Sequence, residues 1–188
     1  MNNREKILAF ALDLFAARGY DAVGIQEVAE AAGVTKPTLY HYFGSKRGLL
    51  DSLLAERFDR LNQVLREAAD NQRDLPQTLD NIAAAIFQFA SDNPDWYRME
   101  LSMWFAPPDS EPFQAVSRLN REQHQIIEDM FAQAAFQHGN MKGRQRAYAA
   151  TFQGMLNTYI GMALNGYVRL DEALRRQAVH QFMHGIYS

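Results

Sequence analysis

A chain of 188 residues with 47% apolar and 22% charged residues can bury one sizeable core or two small ones, which excludes a disordered chain. It contains no cysteine, so disulfides, thiol catalysis and thiolate metal sites are excluded as well. The net charge of −3 argues against a general polyanion binder, yet residues 33–47 carry three basic side chains (Lys36, Lys46, Arg47) and no acid. Residues 48–188 carry 13 Lys/Arg against 17 Asp/Glu, so a small basic face sits on an acidic body, a distribution compatible with docking on DNA.

Ile7, Leu8, Ala11, Leu14 and Phe15 recur at helical spacing, which predicts an amphipathic helix over 3–18 ended by Gly19. Tyr20 is expected to pack back beneath it. Gly24 can cap a second helix with Ile25, Val28, Ala29 and Ala32 on its apolar face. Thr35 is a good N-cap for a third, and Pro37 is tolerated in its first turn, where the N–H has no intrahelical acceptor. Ala29, Gly33 and Leu39 then fall where a helix-turn-helix needs a small crossing residue, a sharp turn and a core anchor. Leu39 and Phe43 give the third helix one face to bury. Tyr40 and Tyr42 cannot join them on that face, so they point to an external contact. His41 reads equally as a base contact or as a solvated side chain.

Ser45 caps a long helix predicted from Lys46 to about Ala69. The polar stretch Asp70-Asn71-Gln72-Arg73-Asp74 breaks it, and Pro76 opens the next, through Phe89. Further helices are predicted over 95–105, 113–137, 145–166 and 171–187. A loop at Ala106-Pro107-Pro108-Asp109-Ser110 and a stop near His138-Gly139-Asn140 separate them. No run alternates with period two, so the expectation is an all-α fold of about nine helices.

The stretch from Gly19 through Lys46, and above all Leu39-Tyr40-x-Tyr42-Phe43-x-x-Lys46, resembles the DNA-binding domain of TetR-type transcriptional regulators. The resemblance covers about the first quarter of the chain. It implies a three-helix helix-turn-helix domain over 1–46 and a helical effector-binding and dimerisation domain over 47–188. By position it implies that Lys36, Pro37, Thr38, Tyr40 and His41 lie at the major groove, while Thr35, Tyr42 and Lys46 hold phosphates. The chemistry is compatible: Lys and Thr bond base edges, Pro37 packs on a thymine methyl, and Tyr hydroxyls and Lys46 bond backbone oxygens. Gly24 departs from the family, which usually has Ser or Thr there, so a hydroxyl contact to phosphate is lost.

Trp96, Tyr97, Met99, Met103, Trp104 and Phe105 crowd one short helix. With Phe87, Phe131, Phe152 and Tyr159 they could wall an effector cavity of the kind the family holds. The alternative is an ordinary core in which Met and aromatic side chains fill gaps. If a cavity is present, its ligand is expected to be small and hydrophobic or aromatic. Ala147, Ala150, Gly154, Thr158, Gly161 and Asn165 form a stripe of small side chains. That stripe suits close helix packing, either within the chain or, as the family resemblance implies, between the last two helices of two copies.

His180 and His184 have metal-ligand spacing but no third ligand beside them, so no metal or cofactor is expected. No phosphate-binding glycine loop, nucleophile elbow, dinucleotide fingerprint or zinc-protease motif occurs, and no enzymatic activity is expected. The most apolar run, Tyr148 to Val168, is interrupted by Gln153, Asn157 and Asn165, and the N-terminus lacks a signal-peptide core. A cytoplasmic protein without a membrane segment is therefore expected. The reading as a whole is a homodimeric transcriptional regulator, a repressor released from a palindromic double-stranded DNA operator by its effector. The alternative is a DNA-binding dimer governed by a protein partner instead of a small molecule.

Overall fold

A computed structural model describes residues 2–70, 74–137 and 141–185. Within them the chain forms nine α-helices and no strand, the all-α architecture expected. They are α1 (Asn3–Arg18), α2 (Ile25–Ala31), α3 (Lys36–Phe43), α4 (Lys46–Ala69), α5 (Leu75–Asp92), α6 (Pro94–Trp104), α7 (Glu111–Gln137), α8 (Gln145–Leu164) and α9 (Glu172–His184). The expected break at Asn71-Gln72-Arg73, the stop at His138-Gly139-Asn140 and the final Ile186 and Tyr187 lie outside the described residues.

Helix boundaries follow local chemistry. A capping box opens α1: the Glu5 N–H donates to Asn2 Oδ1 at 2.9 Å, and the Asn2 N–H donates to Glu5 Oε2 at 3.0 Å. Ser110, expected in the loop, caps α7 by accepting from the Phe113 N–H at 3.3 Å, so that helix starts two residues before Phe113. Asp171 caps α9 through the Leu174 N–H at 2.9 Å. α6 ends at Trp104, one residue short of expectation, and Phe105 leaves the helix largely exposed.

The chain packs as two compact units, residues 1–59 with 93–119 and residues 60–92 with 120–188. α4 and α7 each contribute residues to both. In the first unit α1 packs on α2, α3 and α6, burying Ile7, Ala11, Phe15, Val28, Ala29 and Leu39. Trp96 on α6 meets the Phe58 ring edge-on at 5.0 Å between centroids. In the second unit α5 packs on α8 and α9. Arg175 joins α9 to α5 by donating from Nε to Asp80 Oδ1 at 2.9 Å. Phe131, Phe152 and Phe182 form a cluster there, with centroids 5.0–6.3 Å apart. No helix among the described residues is long and apolar enough to cross a membrane.

Candidate nucleic-acid interface

The turn before α3 is made by backbone chemistry. Gly33 takes φ +67°, a conformation that costs a residue with a Cβ, and the Val34 N–H returns to the Ala29 carbonyl at 2.9 Å. Ala29 is fully buried where the two helices cross. Thr35 is extended and caps α3, its Oγ1 accepting from the Thr38 N–H at 3.3 Å and lying 2.8 Å from Thr38 Oγ1. Pro37 stands in the first turn, and Gly44 closes the helix with its N–H on the Tyr40 carbonyl. Gly24 caps α2 in an ordinary extended conformation with no side-chain bond, so its backbone makes the cap and no hydroxyl is present.

Leu39 and Phe43 are buried, which fixes what remains outside. Thr35, Lys36, Pro37, Tyr40, His41 and Tyr42 are exposed, and Thr38 is half-buried by its bond to Thr35. Tyr40 and Tyr42 keep 41% and 43% of their surface in solvent, far more than a core tyrosine. Lys36 Nζ lies 5.7 Å from the Tyr40 ring centroid, and the His41 and Tyr42 rings meet edge-to-face at 5.6 Å. A short helix thus carries hydroxyls, an imidazole and an ammonium around its exposed sides. Such a helix can donate to base edges and phosphate oxygens together.

Lys46, expected as a phosphate contact, is the first residue of α4 and has a neighbour that the sequence did not indicate. Its Nζ sits 4.1 Å from the Tyr20 ring centroid. Burial lowers its pKa, opposed by the charges of Asp21 and Glu111. Tyr20 is itself buried and donates its hydroxyl to Glu111 Oε2 at 2.6 Å. Arg47 is also committed, donating from Nε to Asp51 Oδ1 at 2.8 Å and from Nη1 to the Glu111 carbonyl at 3.1 Å. Gly48 is the other unanticipated residue, because a Cβ there would lie 2.0 Å from the Phe43 carbonyl oxygen. Only glycine lets α4 start this close beneath the end of α3. A glycine two positions after a helix-opening lysine was the available signal.

The expected ligand residues fall into two groups. Trp96, Tyr97 and Met103 are buried in the first unit, and Trp104 at the end of α6 is partly exposed. Trp96 and Tyr97 meet edge-to-face at 6.0 Å. Burial, reinforced by the Glu100 charge, holds the Tyr97 hydroxyl well above its ordinary pKa of 10.0. Phe131 and Phe152 are buried in the second unit with centroids 6.3 Å apart, and Tyr159 is half-buried on α8. His180 and His184 stack at 4.4 Å on an exposed face, and no group of three metal-ligating side chains occurs among the described residues.

A buried three-helix platform that leaves one capped, hydroxyl-rich helix face exposed defines a helix-turn-helix protein. Residues 7–53 match the family model described as "Bacterial regulatory proteins, tetR family". This helix-turn-helix segment is thus similar to the DNA-binding part of TetR-family transcriptional regulators. It is 36% identical over 96 residues to the HTH-type transcriptional activator FasR of Mycolicibacterium smegmatis, covering 51% of this chain and 44% of that protein. It is 27% identical over 107 residues to the biofilm operon icaADBC HTH-type negative transcriptional regulator IcaR of Staphylococcus aureus, covering 56% of each. The chain thus spans about half the length of these curated relatives. A crystal structure of the transcriptional regulator FadR from Bacillus subtilis, in complex with stearoyl-CoA, superposes with a TM-score of 0.82 at 19% identity. That match covers 97% of this chain and 99% of FadR, and it shows a shared fold.

Proposed function

We propose that this protein is a cytoplasmic, homodimeric regulator that binds a palindromic double-stranded DNA operator and is released from it by a small hydrophobic effector, acting as a repressor. The observation that carries the reading is the exposed face of α3, where Lys36, Tyr40, His41 and Tyr42 stand on a helix fixed by the Thr35 cap and the buried Leu39 and Phe43. Lys36, Pro37, Thr38, Tyr40 and His41 would meet bases, and Thr35, Tyr42 and Lys46 would meet phosphates. Functionally the chain then divides into a DNA-binding part over 1–46 and an effector and dimerisation part over 47–188.

Dimerisation through α8 and α9 is supported by the small-residue stripe. Ala147, Ala150, Gly154 and Thr158 are exposed, and a Cβ at Gly154 or Gly161 would meet nothing within 4 Å. No side chain among the described residues of the same chain fills that space, so it is open to a second copy. A dimer presents two recognition helices to half-sites roughly 34–36 Å apart.

A hydrophobic effector is supported by the aromatic cluster of Phe131, Phe152 and Phe182 with Tyr159 on α8, and by the aromatic helix α6 with Trp96, Tyr97, Met103 and Trp104. The complex of FadR with stearoyl-CoA makes long-chain acyl-CoA a rational first probe. Because α4 runs as one helix from Lys46 to Ala69, an effector bound beside its later turns would bias the position of Lys46. The test is fluorescence anisotropy of a labelled operator duplex, titrated with stearoyl-CoA and a panel of apolar compounds. Specific binding reversed by a panel member supports the reading. Failure to bind any sequence specifically at low salt overturns it.

A further inference from the structure

The last turn of α9 is closed by its own backbone. The Gly185 N–H donates to the Gln181 carbonyl at 2.8 Å, so the chain stays helical through His184. His180 and His184, four residues apart, therefore project from one side of the helix, and their ring centroids lie 4.4 Å apart. Phe182, two residues from each, points the other way and meets the Phe131 and Phe152 rings at 6.0 and 5.0 Å. Packing on that side leaves both histidines exposed. Apart from their contact with each other, no protein group among the described residues engages either imidazole.

Two imidazoles at positions i and i+4 of a helix form a chelating pair, the spacing that H-E-x-x-H helices use to hold zinc. Metal–nitrogen bonds of about 2.0–2.1 Å require the two nitrogens to stand within roughly 4 Å of each other. Rings centred 4.4 Å apart meet that requirement by turning about their side-chain bonds. The end of the helix adds a second, independent attraction. Its last carbonyls carry partial negative charge, which favours a cation at the final turn. Arg176, one turn before His180, is already paired with Glu172, so its charge opposes a second cation less than a free guanidinium would.

We propose that His180 and His184 form a two-ligand site for an exchangeable transition-metal dication of the zinc and nickel class, with water in the remaining positions. Imidazole suits such ions, whereas magnesium and calcium seek oxygen ligands, and no carboxylate makes a three-ligand group with the pair among the described residues. The missing third ligand excludes a closed structural site, not an exposed and exchangeable one. A bound ion would clamp the turn that carries Phe182 on its other side, so occupancy bears on the aromatic cluster of the second unit. The site is independent of any effector or operator.

Isothermal titration of the full chain with zinc, nickel and magnesium chloride tests the proposal. Wild type should bind Zn(II) and Ni(II) and give no heat with Mg(II). His180→Ala and His184→Ala should each weaken Zn(II) binding at least about tenfold, the lower end of what even an outer-shell partner contributes. Both positions are exposed, so melting temperatures without metal should not change. With zinc the wild type should melt higher and the variants should not. A double variant, His184→Ala with Gln181→His, keeps two imidazoles but places them on different sides of the helix, and should bind as weakly as His184→Ala. Zinc should also shift the side-chain NMR signals of both His180 and His184. Wild-type affinity no higher than that of the double variant, affinity retained in both single variants, Mg(II) bound as tightly as Zn(II), or unmoved His180 and His184 signals would each overturn the inference.

Discussion

The Tyr20 hydroxyl donates to Glu111 Oε2 at 2.6 Å across 91 positions of sequence, tying the turn after α1 to the first residue of α7. The same ring carries the Lys46 ammonium on its face and meets Phe15 edge-on at 5.3 Å. One side chain therefore fixes the start of α4 and the start of α7 against the helix-turn-helix core. Tyr20→Phe keeps the ring and loses the bond, so thermal unfolding should show a loss of about 1 kcal/mol, with exposed Glu111 regaining water. Tyr20→Ala also opens a cavity and should cost about 3–5 kcal/mol.

Burial, the bond to Glu111 and the Glu111 charge raise the Tyr20 pKa, and burial raises that of Tyr97. A pKa raised in the folded state means that the neutral form is favoured on folding. The stabilisation is complete below the ordinary tyrosine value of 10.0 and is lost as pH rises above it. Lys46, whose pKa is lowered by burial, acts oppositely, gaining stability as pH approaches its ordinary value of 10.5. With two tyrosines against one partly buried lysine, the melting temperature should fall above about pH 10. The fall should be shallower in Tyr20→Phe, and an identical slope in both proteins would contradict the assignment.

Gly48→Ala places a Cβ 2.0 Å from the Phe43 carbonyl oxygen, a backbone atom with little room to move. The expected cost is about 2 kcal/mol or more, because α3 and α4 must separate. Denaturant unfolding reads the cost directly. Operator affinity should also fall, since the shift displaces Lys46 relative to α3.

Gly154→Leu should leave the folded chain intact, since nothing stands within 4 Å of the new Cβ, while obstructing close approach of a second copy. Light scattering should show dimer for wild type and monomer for the variant. A wild type that is monomeric at micromolar concentration would remove the proposed interface.

Helix positions were legible because apolar periodicity and caps are local: Asn2, Thr35 and Asp171 each sit where their side chains satisfy first-turn N–H groups. The exposed face of α3 was legible for the same reason, once Leu39 and Phe43 were assigned to the core. What could not be read were contacts between distant positions. Tyr20 was expected only to pack, and its partnership with Glu111 depends on how α7 begins. Lys46 was expected only to hold phosphate, and its place over the Tyr20 ring is a contact between distant positions. The aromatic residues read as one cluster divide between two packing units, because composition along a helix says which residues are apolar but not which neighbours they meet.

The most direct test of the central claim is selection of preferred sites from a random duplex pool by the full protein, followed by titration of the selected site with Lys36→Ala and Tyr42→Ala. A palindrome with half-site centres about 10 base pairs or a multiple apart is expected. Each variant should bind it about tenfold or more weakly with an unchanged melting temperature, and Lys36→Ala should shift the slope of log affinity on log salt by about one if its ammonium also reaches a phosphate. No enriched sequence, or equal affinity in wild type and both variants, would contradict the account.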